Sequence, residues 1–231
     1  MSNDLKNESL KNESFKMLGK SISKNSLLLG AFALVTTALL ALTAEFTKER
    51  IAKAERAAQQ KALFEIVPRT RHNNDLLSDT IQVPESAWAG LGLKSGGDIY
   101  VARHTDETIA VIIPATAPDG YSGDIRMIVG INADGSIAGV RIVDHKETPG
   151  LGDKIDLKKN QWILGFNGKS LNSPNTTQWK VKKDGGDFDQ FAGATITPRA
   201  VVNQVRRVLE FVDAHRDELF KKNDSVSGET K

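Results

Sequence analysis

The sequence predicts an α+β domain, with helices packed on an antiparallel sheet, preceded by one N-terminal transmembrane helix. Three patterns indicate this class. An uncharged run of 20 residues, 25–44, lies near the N-terminus. Four short segments rich in β-branched residues lie in the middle of the chain, and one long amphipathic pattern lies near its end. Strands that precede helices, rather than alternate with them, are typical of an α+β arrangement.

The composition is nearly neutral and lacks cysteine. The 231 residues include 31 Lys and Arg and 29 Asp and Glu, which gives a net charge of +2. Residues 1–25 already account for this excess, so the remainder is close to neutral. A strongly basic nucleic-acid-binding protein is therefore excluded, and no nucleic-acid partner is expected. Without Cys, the chain cannot supply disulfides, thiol catalysis or a Cys-ligated zinc or iron–sulfur centre.

The uncharged run, 25–44, is predicted to be a transmembrane helix. As an α-helix it would extend about 30 Å, which matches the hydrocarbon core of a bilayer. A buried core helix is disfavoured because the run is apolar on every face. A cleaved signal peptide is disfavoured because Leu42-Thr43-Ala44 is a poor small-x-small cleavage site. A retained anchor is therefore preferred.

Polar segments flank this run. Residues 1–24 are predicted to be a polar tail, poorly ordered or helical only near the membrane. Lysines precede the run, and Lys and Arg follow it, so the positive-inside rule assigns no orientation. Residues 45–67 are predicted to form a juxtamembrane helix that ends at Pro68 and acts as a solvated stalk. Its apolar stripe consists of Ile51, Ala54, Ala58, Ala62 and Ile66.

Residues 68–223 are predicted to form one domain, followed by a polar tail at 224–231. A short helix is predicted at 156–166 and a long amphipathic helix at 198–222. Thr197 is the predicted N-cap of the long helix, and Pro198 its first residue. Strands are predicted at 99–103, 108–114, 125–131 and 137–143, with a hairpin turn at Asn132-Ala133-Asp134-Gly135 between the last two.

A glycine-rich motif follows the last predicted strand: His145-Lys146-Glu147-Thr148-Pro149-Gly150-Leu151-Gly152-Asp153-Lys154. Its Pro and Gly residues predict a tight, exposed loop whose amides can approach a ligand closely. His145, Glu147 and Lys154 add hydrogen-bonding groups and charge. Taken alone, the pattern favours a polar loop that closes a strand.

A second motif, Asp189-Gln190-Phe191-Ala192-Gly193-Ala194-Thr195-Ile196-Thr197-Pro198, precedes the long helix. The small residues at 192–194 leave Thr195 accessible. Thr195 lies two residues before the predicted N-cap, so an attached anion would lie near unpaired N–H groups and the positive end of the helix dipole. A phosphate group is the best-matched ligand. The alternative is an ordinary capped helix start.

Together the two motifs resemble those of the membrane-anchored, FMN-binding subunits of bacterial ion-translocating redox complexes. In that family FMN is esterified through its phosphate to a Thr in an Asp-x-x-[Ser/Thr]-Gly-Ala-[Thr/Ser] motif. The resemblance implies that Thr195 is the attachment residue, with Thr197 as a weaker candidate. It also implies that Asp189, Gly193 and Ala194 form the recognition sequence of a flavin transferase. The chain has Ala192 where the family often has Ser or Thr.

The segment 147–152 is similar to the family's other signature. The resemblance therefore implies further cofactor-binding residues in the glycine-rich motif. Tyr121, in the turn 119–124, is an additional candidate because an aromatic ring there could stack on the flavin, although a turn or core Tyr is the alternative. The residues of the glycine-rich motif are His145, Glu147, Thr148, Pro149, Gly150, Leu151, Gly152 and Lys154.

The resemblance implies an inner-membrane subunit with a periplasmic C-terminal domain, and therefore a cytoplasmic tail at 1–24. It would relay electrons through covalent FMN in a complex that couples electron flow to ion translocation. Its implied partners are the lipid bilayer, a flavin transferase, and other membrane and iron–sulfur subunits. Two subfamilies fit, the G subunits of Rnf/Rsx complexes and the C subunits of sodium-pumping NADH:quinone reductases. The compact length and the run 191–198 favour the first.

Other functional classes remain as alternatives. A non-redox, single-pass scaffold or solute-binding protein would need only the anchor and the polar loops. A self-sufficient flavin enzyme is disfavoured because no G-x-G-x-x-G fingerprint follows a strand. The chain is therefore expected to be an electron-transfer subunit rather than a stand-alone enzyme. No catalytic residue and no metal ligand is assigned.

Overall fold

A computed structural model describes residues 2–221 of the chain. The polar tail predicted at 224–231 lies outside the described residues. The chain divides into two compact units, Met1–Ala57 and Ala58–Lys231, and the division falls within the first helix.

Helix α1 (Ser2–Ile66) forms the first unit and continues into the second. The expectation that the N-terminal tail is poorly ordered, or helical only near the membrane, is wrong. The tail is helical from Ser2, because its Leu, Lys and Glu residues are good helix formers. Within α1, Leu29–Ile51 is long and apolar enough to cross a membrane, with a mean hydropathy of 1.8. None of this segment is buried, which rules out a core helix.

The second unit contains a five-stranded antiparallel sheet whose strands lie side by side in sequence order. The α+β class with an antiparallel sheet is therefore confirmed, and all four predicted strands are present. A fifth strand was missed because three residues are too few to show an alternating pattern. The strands are β1 (Thr80–Gln82), β2 (Asp98–His104), β3 (Glu107–Ala117), β4 (Ile125–Asn132) and β5 (Ile137–Asp144).

Three further helices complete the unit: α2 (Glu85–Leu91), α3 (Ile196–Ala214) and α4 (Arg216–Leu219). The long helix predicted at 198–222 is α3, which begins two residues earlier and ends at Ala214. The single helix predicted at 156–166 is wrong. Within that range only Gln161–Phe166 is helical, as a 3-10 helix, and a second 3-10 turn, Gly152–Ile155, precedes the range. The 3-10 helix begins at Gln161 because Asn160 is its N-cap, whose side chain accepts the Trp162 N–H at 2.8 Å.

Both faces of the sheet are covered. On one face, Val111, Ile113 and Ala115 of β3 join a core with the apolar stripe of α3. On the other face, the alternate residues Ala110 and Ile112 join a second core with the end of α1. The stripe of α3 consists of Val201, Val202, Val205, Val208, Leu209 and Val212.

The expectation of a solvated stalk is wrong for the last turns of α1. Leu63, Ile66 and Val67 are at most 3% exposed. Ile66 lies so close to Gly130 that a Cβ on this glycine would be 2.2 Å from Ile66 Cγ2. The Arg141 guanidinium on β5 donates to Glu65 Oε2 at 2.9 Å. The C-terminal end of the stalk stripe is apolar because it packs on the face of the sheet opposite α3, which we call the outer face.

Candidate functional site

The two sequence motifs meet at the N-terminus of α3. We call residues 145–154 the glycine loop and residues 189–195 the threonine loop. The Thr197 hydroxyl, in the first turn of α3, donates to Glu147 Oε2 in the glycine loop. A Cβ on Gly193 would lie 3.6 Å from Leu151 Cδ2, so the tips of the two loops are also neighbours. The fold thus brings together segments that lie about 40 residues apart in the sequence.

Thr195 occupies the N-cap position of α3. Its backbone has φ −79° and ψ −29°, and its side chain makes no capping hydrogen bond. The residue is half-buried, and its carbonyl accepts the Arg199 N–H at 3.3 Å. An uncommitted hydroxyl therefore stands at the positive end of a 19-residue helix.

The prediction that Thr197 caps this helix is wrong. The helix begins at Ile196, so Thr197 is its second residue and Pro198 its third. Proline is tolerated there because an N–H in the first turn has no intrahelical partner. Thr197 is 1% exposed, and its hydroxyl is directed to Glu147 rather than to the helix backbone.

Glu147 lies at the centre of the hydrogen bonds of the site. It is 4% exposed, its Oε1 accepts the Ser122 N–H at 2.9 Å, and its Oε2 accepts the Thr197 hydroxyl. Its own N–H donates to His145 Nδ1 at 3.1 Å. The carboxylate therefore joins the turn at 119–124, the glycine loop and α3. The sequence did not predict the role of the Ser122 amide, because a backbone donor carries no side-chain signal.

The glycine loop has the predicted tight and exposed form. The Thr148 carbonyl accepts the N–H groups of Leu151 and Gly152, both at 3.1 Å. Gly150 is exposed and has φ 78°, a left-handed conformation that favours glycine. Pro149 is also exposed, and Lys154 is half-buried at the end of the loop. Gly152 is buried beneath the loop, against Thr197 and Glu147.

Replacing Gly152 with alanine is expected to lower the free energy of unfolding by about 1–3 kcal/mol. The new methyl group would lie 2.7 Å from Thr197 Oγ1 and 2.8 Å from Glu147 Oε2, so these groups must move. Urea denaturation of the detergent-solubilised chain measures the change. Gly165→Ala is the matched control, since a Cβ there meets nothing within 4 Å. Equal losses in the two variants would contradict the close packing at Gly152.

Trp162 supports the start of the threonine loop. Its indole N–H donates to the Asp189 carbonyl at 2.9 Å, and its ring packs edge-on against Phe191 with centroids 5.2 Å apart. The Asp189 carboxylate is exposed and accepts from Lys182 Nζ at 2.6 Å. This hydrogen bond and the charge of Asp189 raise the pKa of the Lys182 ammonium group.

The end of the threonine loop is a tight turn. The Ala194 N–H donates to the Phe191 carbonyl at 3.1 Å, and Gly193 has φ 78°. Ala192 and Gly193 are exposed, and Ala194 is half-buried. The turn presents small side chains to solvent next to Thr195, which leaves room for a large group at that hydroxyl.

Exposed apolar side chains lie on the same segments as these contacts. Leu151 is 42% exposed, Ile196 is 44% exposed and Tyr121 is 69% exposed. Tyr121 is tied to the site through the amide of the next residue, which Glu147 holds. Ile196 was not among the predicted site residues, although its place directly after Thr195 was a signal. These three side chains offer apolar surface to a planar ring.

Comparison with known proteins agrees with this geometry. Residues 17–66 match the family described as the RnfG N-terminal region, and residues 120–210 match the FMN-binding domain. The chain is 50% identical over 210 residues to the G subunit of the ion-translocating oxidoreductase complex of Pseudomonas aeruginosa strain UCBPP-PA14. That alignment covers 91% of this chain and 97% of the relative.

Relatives with the same name occur in other bacteria. The protein of Shewanella amazonensis is 48% identical, over 88% of this chain and 94% of its own length. That of Vibrio vulnificus is 46% identical, over 87% of this chain and 93% of its own length. The predicted family is therefore confirmed. The chain belongs to the family of G subunits of ion-translocating oxidoreductase complexes, as an FMN-binding subunit.

Proposed function

We propose that this chain relays electrons through an FMN whose phosphate is esterified to Thr195 Oγ1. The supporting observation is the uncommitted Thr195 hydroxyl at the N-cap of α3. A phosphodiester is anionic, and the first N–H groups and the dipole of a helix favour an anion at that position. The flavin would supply the redox chemistry, while the chain supplies attachment, orientation and electrostatics.

The residues of the site fit an attached flavin. The N–H groups of Ile196 and Thr197 have no intrahelical partner and lie next to the attachment atom. Gly150 and Gly193 leave the backbone of both loops exposed. The apolar side chains of Leu151, Ile196 and Tyr121 suit the faces of an isoalloxazine ring, which would cover surface that is otherwise in water.

Thr197 is the weaker acceptor on structural grounds. Only 1% of it is exposed, and its hydroxyl is engaged by Glu147. A modifying enzyme could not reach this oxygen without opening the first turn of α3. Thr195, two residues earlier, requires no such opening.

We further propose that a flavin transferase recognises the exposed threonine loop through Asp189, Gly193 and Ala194. In this reaction the Thr195 oxygen bonds to the flavin phosphorus and its hydroxyl proton is lost. The donor is a flavin nucleotide whose FMN phosphate is joined to a second phosphate group. The P–O bond between the two phosphates breaks, and the second group leaves as a phosphate that takes up the proton lost by Thr195. Exposure of Asp189 and Gly193 is consistent with docking of an enzyme on this loop.

Trp162→Phe is expected to lower the flavinylated fraction about two- to tenfold at limiting transferase. The change removes the indole donor to the Asp189 carbonyl, and a hydrogen bond of this kind is worth about 0.5–1.5 kcal/mol. Flavin fluorescence in a denaturing gel, normalised to protein, measures the fraction. Trp88→Phe is the matched control, because its indole donates to the Val83 carbonyl outside the loop. Equal losses in both variants would argue against the role of Trp162.

We place the domain in the periplasm, with residues 25–44 as the inner-membrane anchor, residues 1–24 in the cytoplasm and residues 45–67 as the juxtamembrane helix. Iron–sulfur partners would be separate subunits, since this chain has no Cys ligands. Because the chain lacks Cys, one introduced thiol reports topology cleanly. A membrane-impermeant maleimide should label Ser95→Cys in intact cells with a permeable outer membrane. It should not label Ser9→Cys until the inner membrane is opened; the reverse pattern would refute this orientation.

Intact-mass measurement of the chain, coexpressed with a flavin transferase, tests the proposed function. We expect an added mass equal to FMN less water, which peptide mapping assigns to the segment containing Thr195. The attached flavin should undergo reversible reduction in the purified complex. Absence of the added mass, or its assignment to another residue, would refute the attachment proposal.

A further inference from the structure

We propose that Glu147 is a positioning residue of the flavin site. Its buried carboxylate holds the turn at 119–124 and the glycine loop on the first turn of α3, and its negative charge lowers the reduction potential of the flavin. This inference rests on the proposed attachment at Thr195. It gives Glu147 a role beneath the cofactor rather than in contact with it.

The carboxylate is committed to protein donors. One oxygen accepts the Ser122 N–H at 2.9 Å and the other accepts the Thr197 hydroxyl. Only 4% of the residue is exposed. A flavin at Thr195 would therefore meet the segments that Glu147 holds, and not the carboxylate itself.

Among residues 59–221, whose side chains the structure describes, no ion pair includes Glu147, so the carboxylate has no counter-ion there. A buried carboxylate without a counter-ion is costly unless donors compensate it. The Ser122 amide, the Thr197 hydroxyl and the positive end of α3 provide that compensation. Each donor belongs to a different segment, so the carboxylate links these segments to one another. We call this pair of hydrogen bonds, from the Ser122 amide and the Thr197 hydroxyl to Glu147, the joint.

The joint determines where two groups of the site lie. Thr197 lies two residues after Thr195, which carries the attachment atom, and Ser122 directly follows Tyr121. The turn at 119–124 is compact, because a Cβ on Gly120 would come within 2.3 Å of the Gly123 carbonyl oxygen. With its Ser122 amide held by Glu147, this turn can keep the exposed Tyr121 ring at a set distance from Thr195. Gly152 permits the approach, since any side chain there would meet both Glu147 and Thr197.

The negative charge of Glu147 has a second expected effect, on the reduction potential of the flavin. An electron added to a flavin near the buried Glu147 carboxylate is disfavoured, because like charges repel and solvent screens a buried charge less than an exposed one. The α3 N-terminus partly offsets this repulsion, but it also compensates Glu147 itself. Removing the charge while keeping the shape should therefore make the flavin easier to reduce.

Two substitutions separate position from charge. In Glu147→Gln, the amide oxygen can accept the Ser122 N–H and the amide nitrogen can donate to Thr197 Oγ1, so the joint is kept and the charge is lost. In Glu147→Ala, both are lost. Glu65→Gln is the control, because it removes a carboxylate that pairs with Arg141 on β5.

Amide hydrogen exchange tests the positioning role without any flavin, using full-length chain expressed without transferase. We expect exchange at Ser122 to be at least tenfold faster in Glu147→Ala and within about twofold of the parent in Glu147→Gln. Unchanged exchange in Glu147→Ala would overturn the positioning role. If that variant does not fold, Thr197→Val takes its place, because it removes the other donor to the Glu147 carboxylate. We expect faster exchange at Ser122 in Thr197→Val, and unchanged exchange there would overturn the positioning role.

The reduction potential of the FMN-loaded chain tests the charge. We expect Glu147→Gln to favour the reduced flavin by about tenfold, which is about 30 mV for a two-electron couple, with no change in Glu65→Gln. An unchanged potential in Glu147→Gln, or an equal shift in both variants, would overturn the charge role. A parent chain without FMN on Thr195 would instead refute the proposed function, while the exchange experiment would still decide the positioning role.

Discussion

Thr195→Ala is expected to abolish covalent FMN attachment, because the substitution removes the uncommitted hydroxyl at the start of α3. No flavin fluorescence should remain on the denatured chain, and its intact mass should equal that of the polypeptide. The fold should be retained, since the Thr195 side chain makes no capping hydrogen bond. The expected loss is therefore chemical rather than structural.

Two further substitutions sharpen this experiment. Thr195→Ser keeps the hydroxyl and should keep the flavin, although at a lower yield if the transferase contacts the missing methyl. Thr197→Val removes the buried donor to Glu147 and should cost about 1–3 kcal/mol of folding free energy, yet retain the covalent bond. Flavin retained in Thr195→Ala, or flavin lost in a folded Thr197→Val chain, would contradict the assignment of the acceptor.

A chain that begins at Pro68 is expected to be unfolded or aggregated, whereas one that begins at Ala58 should fold. The segment between them contributes Leu63, Ile66 and Val67 to the core on the outer face of the sheet. Burial of each such side chain is worth about 1.5–3 kcal/mol, so their joint loss is about 5–9 kcal/mol. That loss is comparable to the whole stability of an ordinary domain, about 5–15 kcal/mol.

Circular dichroism and thermal unfolding of the two truncated chains measure this effect. Leu63→Ala in the chain beginning at Ala58 should lower its stability by about 2–5 kcal/mol, as expected for a fully buried leucine. Ile51→Ala in the full-length chain is the control, because Ile51 belongs to the same stripe but is 52% exposed. A stable, monomeric chain beginning at Pro68 would show that the end of α1 is dispensable.

For the stalk, the sequence predicted the helix but not the surface on which its apolar face packs. The stripe from Ile51 to Ile66 predicted an amphipathic helix, and α1 extends through all of it. Periodicity identifies an apolar face but not its partner. The partner here is the outer face of β3 and β4, where Gly130 makes room for Ile66. Four strands were predictable because their β-branched residues are concentrated between turn signals, whereas β1 was too short to carry such a signal.

In the site, too, the sequence predicted the local motifs but not the tertiary contact between them. Both loops were recognised from their residues, and the fold brings them together. The error at the N-cap arose because Thr195 and Thr197 both suit that position, and a proline can occupy any place in the first turn. The hydrogen bond from Thr197 to Glu147 decides between them, and it joins residues 50 positions apart. Local propensity contains no information about such a partner.

The sequence by itself determined the elements with a local or compositional cause: the apolar run, the strands, the amphipathic helix and the family to which the motifs point. The tertiary structure decided which faces are covered, which threonine is free and what a buried carboxylate holds. The physical reason is that periodicity and turn chemistry act over a few residues. Burial, hydrogen-bond pairing and close approach depend on residues that only the folded sheet brings together.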